Sequence, residues 1–256
     1  QAGLNYKRVL DLSQEIGDSW TQAHALRGMG DLRFMEGKSK EAESLYRHAL
    51  ILFQTINERI GQASTLRRLA EMDRMRDNYD LALVEFEQSL NLSHNIGDSL
   101  GEAGSLLGLG DLQRLWGHHK ESHQFYEQAL ELFKKVKCIR GESKALRGLG
   151  AINYETSQYK DSREAYEKAL VFSKKIGDSQ NEARTLWGLG RLELALGHYG
   201  QARTNFDEAL TLFKKINYVW GEAGVLRTLG ELESISDHND QARILYTRAL
   251  TLHKQI

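Results

Sequence analysis

A histidine cluster is the first group of residues in this sequence whose types and spacing could do chemistry. It comprises His118, His119 and His123, and the four-residue step from His119 to His123 would place two imidazoles on one helix face. No cysteine or carboxylate recurs nearby as an evident third ligand. Tyrosines stand at multiples of 40 residues from His119, namely Tyr79, Tyr159 and Tyr199. We therefore expect surface or interhelical histidines and no metal.

The single cysteine and the paired glycines are the remaining candidates for chemistry. Cys138 has no paired base in its vicinity, so we expect no catalytic role, and one cysteine cannot form an internal disulfide. Pairs such as Gly28/Gly30 and Gly188/Gly190 superficially suggest phosphate loops, but a dinucleotide fingerprint needs a preceding strand and a third glycine. No Gly-x-x-x-x-Gly-Lys-Ser/Thr sequence occurs. We predict packing glycines, no cofactor, no small-molecule substrate and no enzymatic activity.

Composition excludes further classes. The 256 residues hold 34 Lys and Arg against 35 Asp and Glu, a net charge of −1, which indicates no general attraction to nucleic acid or to a membrane surface. No apolar run is long enough to span a bilayer, and no signal peptide is evident. The lone cysteine suits a reducing compartment. We expect a cytoplasmic protein, of which this chain, beginning at Gln1, is a segment.

A repeat of 40 residues organises the whole chain. Leucines recur at 10, 50, 90, 130, 170, 210 and 250, and aromatic residues at 6, 46, 86, 126, 166, 206 and 246. Proline is absent, so every segment is free to be helical. A fixed period of this length is typical of a solenoid, in which each unit buries its apolar faces against its neighbours.

Each repeat contains signals for two helices. In residues 97–136, Ser99 and Glu102 have the spacing of a capping box, and Gly117 marks the end of the first helix. Gly97, Gly177, Asn57 and Asn217 stand where second helices end, whereas Lys137 departs from this pattern and predicts a different local turn. The predicted hairpins are residues 17–56, 57–96, 97–136, 137–176, 177–216 and 217–256. Residues 1–16 form a partial repeat, and residues 1–256 form one solenoid.

Leu109-Gly110, Ser122, Tyr126 and Ala129 resemble the signature of the tetratricopeptide repeat, and the match recurs in the later repeats. The 40-residue length is similar to that of LGN/Pins-type polarity adaptors and kinesin light chains. It is also similar to repeats that follow the nucleotide-binding core of NLR-like signalling ATPases. The resemblance implies an all-α fold, a right-handed superhelix of antiparallel hairpins. It also implies that first helices line a concave groove that binds protein.

Transferring that geometry gives a candidate partner-binding set in the groove. Its members are basic, apolar or aromatic: Arg27, Arg67, Arg74, Arg114, Lys144, Arg147, Arg184, Trp187, Arg191, Arg227, Phe34, Met35, Met75 and Tyr154. The same groove positions hold nine basic residues and only five acidic ones, which are Asp31, Glu71, Asp111, Glu155 and Glu231. Trp187 is the tryptophan expected to be exposed there, while Trp20, Trp116 and Trp220 are expected to pack. The predicted ligand is an acidic, partly apolar peptide or helix of a partner protein.

Several alternatives stay open at this stage. Arg27 with Asp31, Arg67 with Glu71 and Arg227 with Glu231 could be i,i+4 pairs that need no ligand. Single-stranded nucleic acid is disfavoured by the interleaved acids. A second function is self-assembly, or regulation within an NLR-like signalling ATPase. Apolar residues of the last helix, Leu245, Leu250 and Leu252, make end-to-end association between copies a further expectation.

Overall fold

The computed structural model describes the backbone of residues 2–254 and the side chains of residues 5–254. Gln1, Gln255 and Ile256, which the predicted ranges include, lie outside the described residues. Within the described residues the chain divides into two compact units, one up to residue 136 and one from residue 137 onward, and each is presented by itself. Within the described residues every regular element is an α-helix, which confirms the predicted all-α fold of repeated helix hairpins.

Unit 1 contains seven helices. They are α1 (Ala2–Ile16), α2 (Ser19–Met35), α3 (Ser39–Thr55), α4 (Arg59–Met75), α5 (Tyr79–Asn95), α6 (Ser99–Leu115) and α7 (His119–Lys135). The closest packing is within the pairs α2/α3, α4/α5 and α6/α7, and α1 packs on α2. Successive first helices α2, α4 and α6 also contact one another.

Unit 2 contains six helices that pack in the same way. They are α8 (Ile139–Glu155), α9 (Tyr159–Ile176), α10 (Ser179–Ala195), α11 (Tyr199–Lys215), α12 (Val219–Ile235) and α13 (Asn239–His253). The hairpins are α8/α9, α10/α11 and α12/α13, and the first helices α8, α10 and α12 contact one another. That the two units form one solenoid, as the unbroken period indicates, stays a prediction.

The signature residues explain why the helices of a hairpin approach so closely. Tyr126 is buried, and a Cβ atom at Gly110 would lie 2.8 Å from its ring, so only glycine leaves room for the ring. Ser122 donates a hydrogen bond from Oγ to the Gly110 carbonyl oxygen at 2.9 Å. Ala129 is fully buried on the same helix. The paired glycines are therefore packing residues, as predicted.

The helix ends confirm one sequence interpretation and correct two. Gly117, Gly97, Gly177, Asn57 and Asn217 all have positive φ, as expected after a helix C-terminus. Lys137 does too, with φ 54°, so the prediction of a different turn there was wrong. The capping box was also misplaced: Asp98 is the N-cap of α6 and accepts a hydrogen bond from the Gly101 amide at 3.0 Å, while Ser99 is already helical.

Candidate protein-interaction surface

The predicted partner-binding residues lie on the first helix of each hairpin. On one helix, residues seven apart are rotated by only about 20°, so positions 20, 27 and 34 of α2 share a face. The equivalent residues of α4 and α6 continue that face within unit 1. We call this surface the first-helix face of unit 1, and its counterpart on α8, α10 and α12 the first-helix face of unit 2.

Arg27 connects α2 to α4. Its Nη1 donates to Ser64 Oγ, Nη2 lies 3.3 Å from His24 Nδ1, and the guanidinium lies 5.9 Å from the centroid of the Phe53 ring. Asp31 forms its salt bridge with Arg68, whose Nε lies 3.1 Å from the Asp31 carboxylate. Asp31 also accepts a hydrogen bond from a tyrosine hydroxyl. The possible i,i+4 pair of Arg27 with Asp31 therefore does not describe this site.

Arg67 repeats this arrangement between α4 and α6. Its Nη1 lies 3.4 Å from the Gly101 carbonyl oxygen, and a Cβ atom at Gly104 would lie 2.0 Å from the same nitrogen. Burial lowers the pKa of the Arg67 guanidinium, and the nearby charge of Arg68 acts in the same direction. Arg67 therefore holds two first helices together and is not paired with Glu71.

Arg74 has the carboxylate partner that Arg67 lacks. Its Nη2 and Nε lie 2.7 and 3.2 Å from the two carboxylate oxygens of Glu71, three residues earlier. Burial acts to lower the pKa of Arg74, but the carboxylates of Glu71 and Asp111 outweigh it and raise that pKa. The pair is an i,i+3 contact within α4, so it differs from the i,i+4 pairs that the sequence offered as an alternative. Arg114 occupies the equivalent position on α6 and is half-buried.

In unit 2 three of the predicted residues also link successive first helices. Arg147 Nε donates to Asn181 Oδ1 at 2.9 Å. Arg184 Nη2 donates to the Tyr218 hydroxyl at 2.6 Å, and its guanidinium lies 5.3 Å from that ring centroid. Trp187 Nε1 donates to Thr228 Oγ1 at 3.2 Å. Trp187 is half-buried, so the expectation of an exposed tryptophan at this position holds only in part.

The remaining basic residues of unit 2 are more accessible. Lys144, Arg191 and Arg227 are all exposed. Arg191 lies over the half-buried ring of Tyr154, with its guanidinium 4.9 Å from the centroid. Arg227 Nη1 lies 2.5 Å from Glu231 Oε1, the i,i+4 pair that the sequence indicated. Arg191 and Arg227 thus present guanidinium groups that a partner's carboxylate can reach.

Apolar residues of unit 1 divide between core and surface. Phe34 is half-buried against Tyr46 and Leu69, whereas Met35 and Met75 are exposed at the end of their helices. Sequence reasoning missed a further exposed row at the start of the same helices: Trp20, Ile60 and Leu100, with 54, 57 and 49% of their surface accessible. Each lies seven residues before position 27, 67 or 107. Because residues seven apart share a helix face, this spacing could have identified the row from the sequence.

The tryptophans predicted to pack behave differently from one another. Trp116 is half-buried and packs against Tyr79, as expected. Trp20 and Trp220 are 54 and 44% exposed, and each lies in the first turn of its helix with its ring against a histidine, His24 and His253 respectively. For these two the prediction was wrong.

Two further findings bear on function. Among residues 2–254, no three histidine, cysteine or carboxylate side chains lie where they could hold a metal ion together. His118 Nδ1 lies 2.7 Å from Gln113 Oε1, and His123 Nδ1 lies 3.4 Å from Glu127 Oε2. In the described part of the chain no helix is both long and apolar enough to cross a bilayer.

The fold and its ordered rows of surface residues define a helical-repeat protein, and comparison with known families specifies which kind. The tetratricopeptide repeat pattern matches residues 61–135 and 142–215, more than half of the chain. The chain belongs to the tetratricopeptide repeat family. The comparison with curated proteins gave no match.

Solved structures share the fold at low sequence identity. A Rap protein complexed with competence and sporulation factor is 16% identical, with a TM-score of 0.79 over 98% of this chain and 68% of that one. The Rap conjugation gene regulator of plasmid pLS20, complexed with the Phr* peptide, is 13% identical, with a TM-score of 0.73 over 95 and 76%. A kinesin-light-chain-like repeat protein of Podosopora anserina is 14% identical, with a TM-score of 0.54 over 75 and 94%.

Proposed function

We propose that this protein is an interaction module whose first-helix faces bind an acidic, partly apolar peptide or helix of a partner protein. The supporting observation is the exposed row Trp20, Ile60 and Leu100, which stands on the same face as the predicted partner-binding residues. Exposed apolar residues that recur in register across three helices form one continuous contact surface for a peptide. The Phr* peptide bound by the pLS20 Rap regulator gives a precedent within this fold.

The charge preference rests on a smaller set of residues than the sequence indicated. Arg27, Arg67, Arg147 and Arg184 already make hydrogen bonds between helices, so they position the first helices. Arg191 and Arg227 are exposed, and a guanidinium there can form paired hydrogen bonds with an incoming carboxylate. On the first-helix face of unit 2, an acidic segment of a partner is therefore proposed to contact Arg191 and Arg227 directly.

Affinity capture with three matched variants tests this proposal. The variant Ile60→Ser/Leu100→Ser removes the apolar row, and Arg191→Glu/Arg227→Glu reverses the exposed charges. The control Ile51→Ser/Val171→Ser changes equally exposed residues on second helices. Each variant tests the first-helix face of its own unit, and we expect each to lose a partner that the control retains. A partner lost only with the control would place binding on second helices and contradict the proposal. If the Arg191→Glu/Arg227→Glu variant retained its partner while the Ile60→Ser/Leu100→Ser variant lost it, the proposed preference for an acidic ligand would be wrong.

Self-association is a second candidate, favoured by the exposed residues Ile244, Tyr246 and Leu250 on α13. Leu245 and Leu252, also predicted to be exposed, are half-buried. Light scattering over a hundredfold range of concentration tests this candidate, since an associating chain increases in mass while a monomeric module does not. A regulatory role within an NLR-like ATPase stays a prediction from the sequence resemblance.

A further inference from the structure

The first helices α4 and α6 expose apolar residues at both of their ends. Ile60 and Leu100, in the first turn, are 57 and 49% exposed, and Met75 and Leu115, in the last turn, are 37 and 44% exposed. Residues 15 apart on a helix are rotated by only about 60° and lie about 22 Å apart along its axis. Both ends therefore belong to the first-helix face of unit 1. We call Ile60 with Leu100 the N-terminal row and Met75 with Leu115 the C-terminal row.

The fold itself does not require these apolar ends. Helix α4 packs against α2 and against α6, and its two ends are exposed with both neighbours in place. The equivalent positions of α8 and α10 in unit 2 hold polar residues or alanine: Arg140, Gln180, Glu155 and Ala195. A first helix can thus pack in this array without an apolar residue at either position.

Arg67 lies between the two rows, seven residues after Ile60 and eight before Met75. Its half-buried guanidinium has five N–H groups, and its one hydrogen bond within the described chain is the 3.4 Å contact with the Gly101 carbonyl oxygen. No carboxylate of the described residues forms a salt bridge with it, whereas Arg74 is paired with a carboxylate of its own helix. Arg67 therefore has donors left for an incoming carboxylate.

The same face lacks the side chains that hold an extended peptide. The N–H and C=O groups of an extended peptide need hydrogen-bond partners, and amide side chains supply both a donor and an acceptor. Positions 60, 64, 67, 71, 74 and 75 of α4, and the equivalent positions of α2 and α6, hold no Asn or Gln. A helix satisfies its own backbone groups, so it can lie on this face without such partners.

We propose that the ligand of the first-helix face of unit 1 is a helix of a partner protein that lies lengthwise along α4 and α6. It is at least about 16 residues long, because that length spans the separation of the two rows. Apolar residues at its ends contact the N-terminal and C-terminal rows, and a carboxylate near its middle binds Arg67. The inference rests on the proposed function and adds the conformation, length and orientation of the ligand.

The probe is a designed peptide of roughly 20 residues, cross-linked on its solvent side because isolated short helices are marginal. Leucines at peptide positions 3, 7, 14 and 18 and glutamates at 10 and 11 lie within about a 100° arc of the helix, and Ala and Gln fill the remaining positions. A second peptide keeps these leucines and glutamates but has proline at positions 8 and 13 and no cross-link, so it cannot form the helix. Fluorescence anisotropy measures the affinity of each peptide for the full chain.

Both rows should contribute to binding of the helical peptide. We expect the N-terminal-row variant Ile60→Ser/Leu100→Ser to weaken binding at least tenfold. The C-terminal-row variant Met75→Ser/Leu115→Ser should weaken it to a similar extent, because the peptide contacts both rows at once. The proline-containing peptide should bind the unmodified chain at least tenfold more weakly than the helical one.

Controls separate these contacts from general effects of substitution. Ile51→Ser/Leu81→Ser changes exposed apolar residues on second helices of the same unit and should leave binding unchanged. Arg67→Met should weaken binding at least tenfold, whereas Arg67→Lys, which keeps the positive charge, should retain more of the affinity. A helical peptide with lysine in place of its two glutamates should bind at least tenfold more weakly.

Three results would overturn the proposal. The first is no measurable binding of the helical peptide. The second is equal binding of the helical and proline-containing peptides, which would make the ligand an extended segment. The third is binding that one of the two row variants leaves unchanged, because the ligand would then cross the first helices instead of lying along them.

The affinity capture described above distinguishes failure of this inference from failure of the proposed function. A partner lost with Ile60→Ser/Leu100→Ser but retained by Met75→Ser/Leu115→Ser would contradict the lengthwise helix and leave the proposed function intact. A partner retained by both row variants would contradict the proposed function for unit 1, and this inference with it.

Discussion

Glu85 on α5 hydrogen-bonds to Asp73 on α4, and both carboxyl side chains are buried in unit 1. Burial, followed by the charge of Asp73, raises the pKa of Glu85 to about 8, with Arg47 opposing and Glu43 reinforcing the shift. Asn78 Nδ2 donates to Asp73 Oδ1 at 3.0 Å. Glu85 Oε2 is buried without a hydrogen-bond partner among the described residues. The folded unit therefore holds a proton on Glu85 that the unfolded chain releases at lower pH.

This pair predicts that the protein loses stability as pH rises from about 5 to about 9. Because the pKa of Glu85 is higher in the folded state, its favourable contribution is fully present below the unfolded value of 4.5 and lost as pH passes about 8. Glu85→Gln should flatten this dependence and stabilise the chain at pH 9, while exposed Glu87→Gln on the same helix should not. Urea unfolding at several pH values measures both. Equal slopes for wild type and Glu85→Gln would refute the assignment.

The ion pair of Arg163 with Glu193 predicts that removing the arginine destabilises unit 2. Arg163→Met leaves the buried Glu193 carboxylate with only His198, and we expect a loss of about 1–3 kcal/mol. Arg243→Met is the matched control, since that exposed arginine binds no buried carboxylate, and it should change stability by less than about 0.5 kcal/mol. Urea unfolding compares the two variants. Equal losses would mean that the ion pair with the buried Glu193 carboxylate is not the source of the stabilisation.

The variant should also respond differently to acid. Burial acts to raise the pKa of Glu193, but Arg163 and His198 lower it below its ordinary value. The contribution of Glu193 is therefore present above pH 4.5 and lost as pH falls through the folded pKa. Arg163→Met should lose this contribution at a higher pH than wild type. Acid unfolding followed by circular dichroism measures the midpoint pH of each protein. The same acid midpoint in both proteins would contradict this explanation.

Gly190 predicts a sharp difference between two glycine substitutions within one hairpin. A Cβ atom at Gly190 would lie 2.4 Å from the buried ring of Phe206, whereas Gly200 has nothing within 4 Å. We expect Gly190→Ala to destabilise the chain by about 1–3 kcal/mol through overpacking. Gly200→Ala should be neutral or stabilising by up to about 1 kcal/mol, because alanine favours the helix. Thermal unfolding of the two variants distinguishes these outcomes. If both substitutions were stabilising, the two helices of the hairpin would tolerate a wider separation.

Ser157 predicts a stabilising substitution in a turn. Its φ of 61° lies in the left-handed region, which residues with a Cβ atom disfavour. Gly117 occupies the equivalent position in unit 1, with φ 76°. Ser157→Gly should stabilise unit 2 by roughly 0.5–1 kcal/mol, and Gly117→Ser should destabilise unit 1 by a similar amount. Chemical denaturation of both variants provides the check. The same sign for both would mean that side-chain contacts in these turns outweigh backbone strain.

The period predicted the helix hairpins and most of their ends because packing and left-handed caps act on residues close in sequence. The contacts of long polar side chains could not be obtained in this way. Arg27 and Arg67 each have a carboxylate four residues later, yet both reach the neighbouring first helix. Arg74 instead binds a carboxylate three residues earlier. Which partner a guanidinium takes depends on the spacing between helices, which the sequence pattern does not reveal.

Exposure was the second quantity that the pattern predicted only in part. Trp20 and Trp220 are large apolar residues of the kind that usually pack in a core. Their position in the first turn of a helix nevertheless leaves them exposed to solvent. Ile60 and Leu100 were missed for the same reason: apolar spacing identifies a helix face without showing whether another helix covers it. The row that supports the proposed function therefore became visible only in the structure.

Within each unit, the described helices contact only helices one or two places away along the chain. A gene segment encoding 40 residues could therefore be duplicated or lost by unequal recombination, and each remaining helix would still meet a neighbour of the type it already contacts. Arginine at positions 163, 203 and 243 recurs with this same 40-residue spacing. Selection could then adjust the reach of the protein in whole repeats while mutations on the first helices change what it recognises.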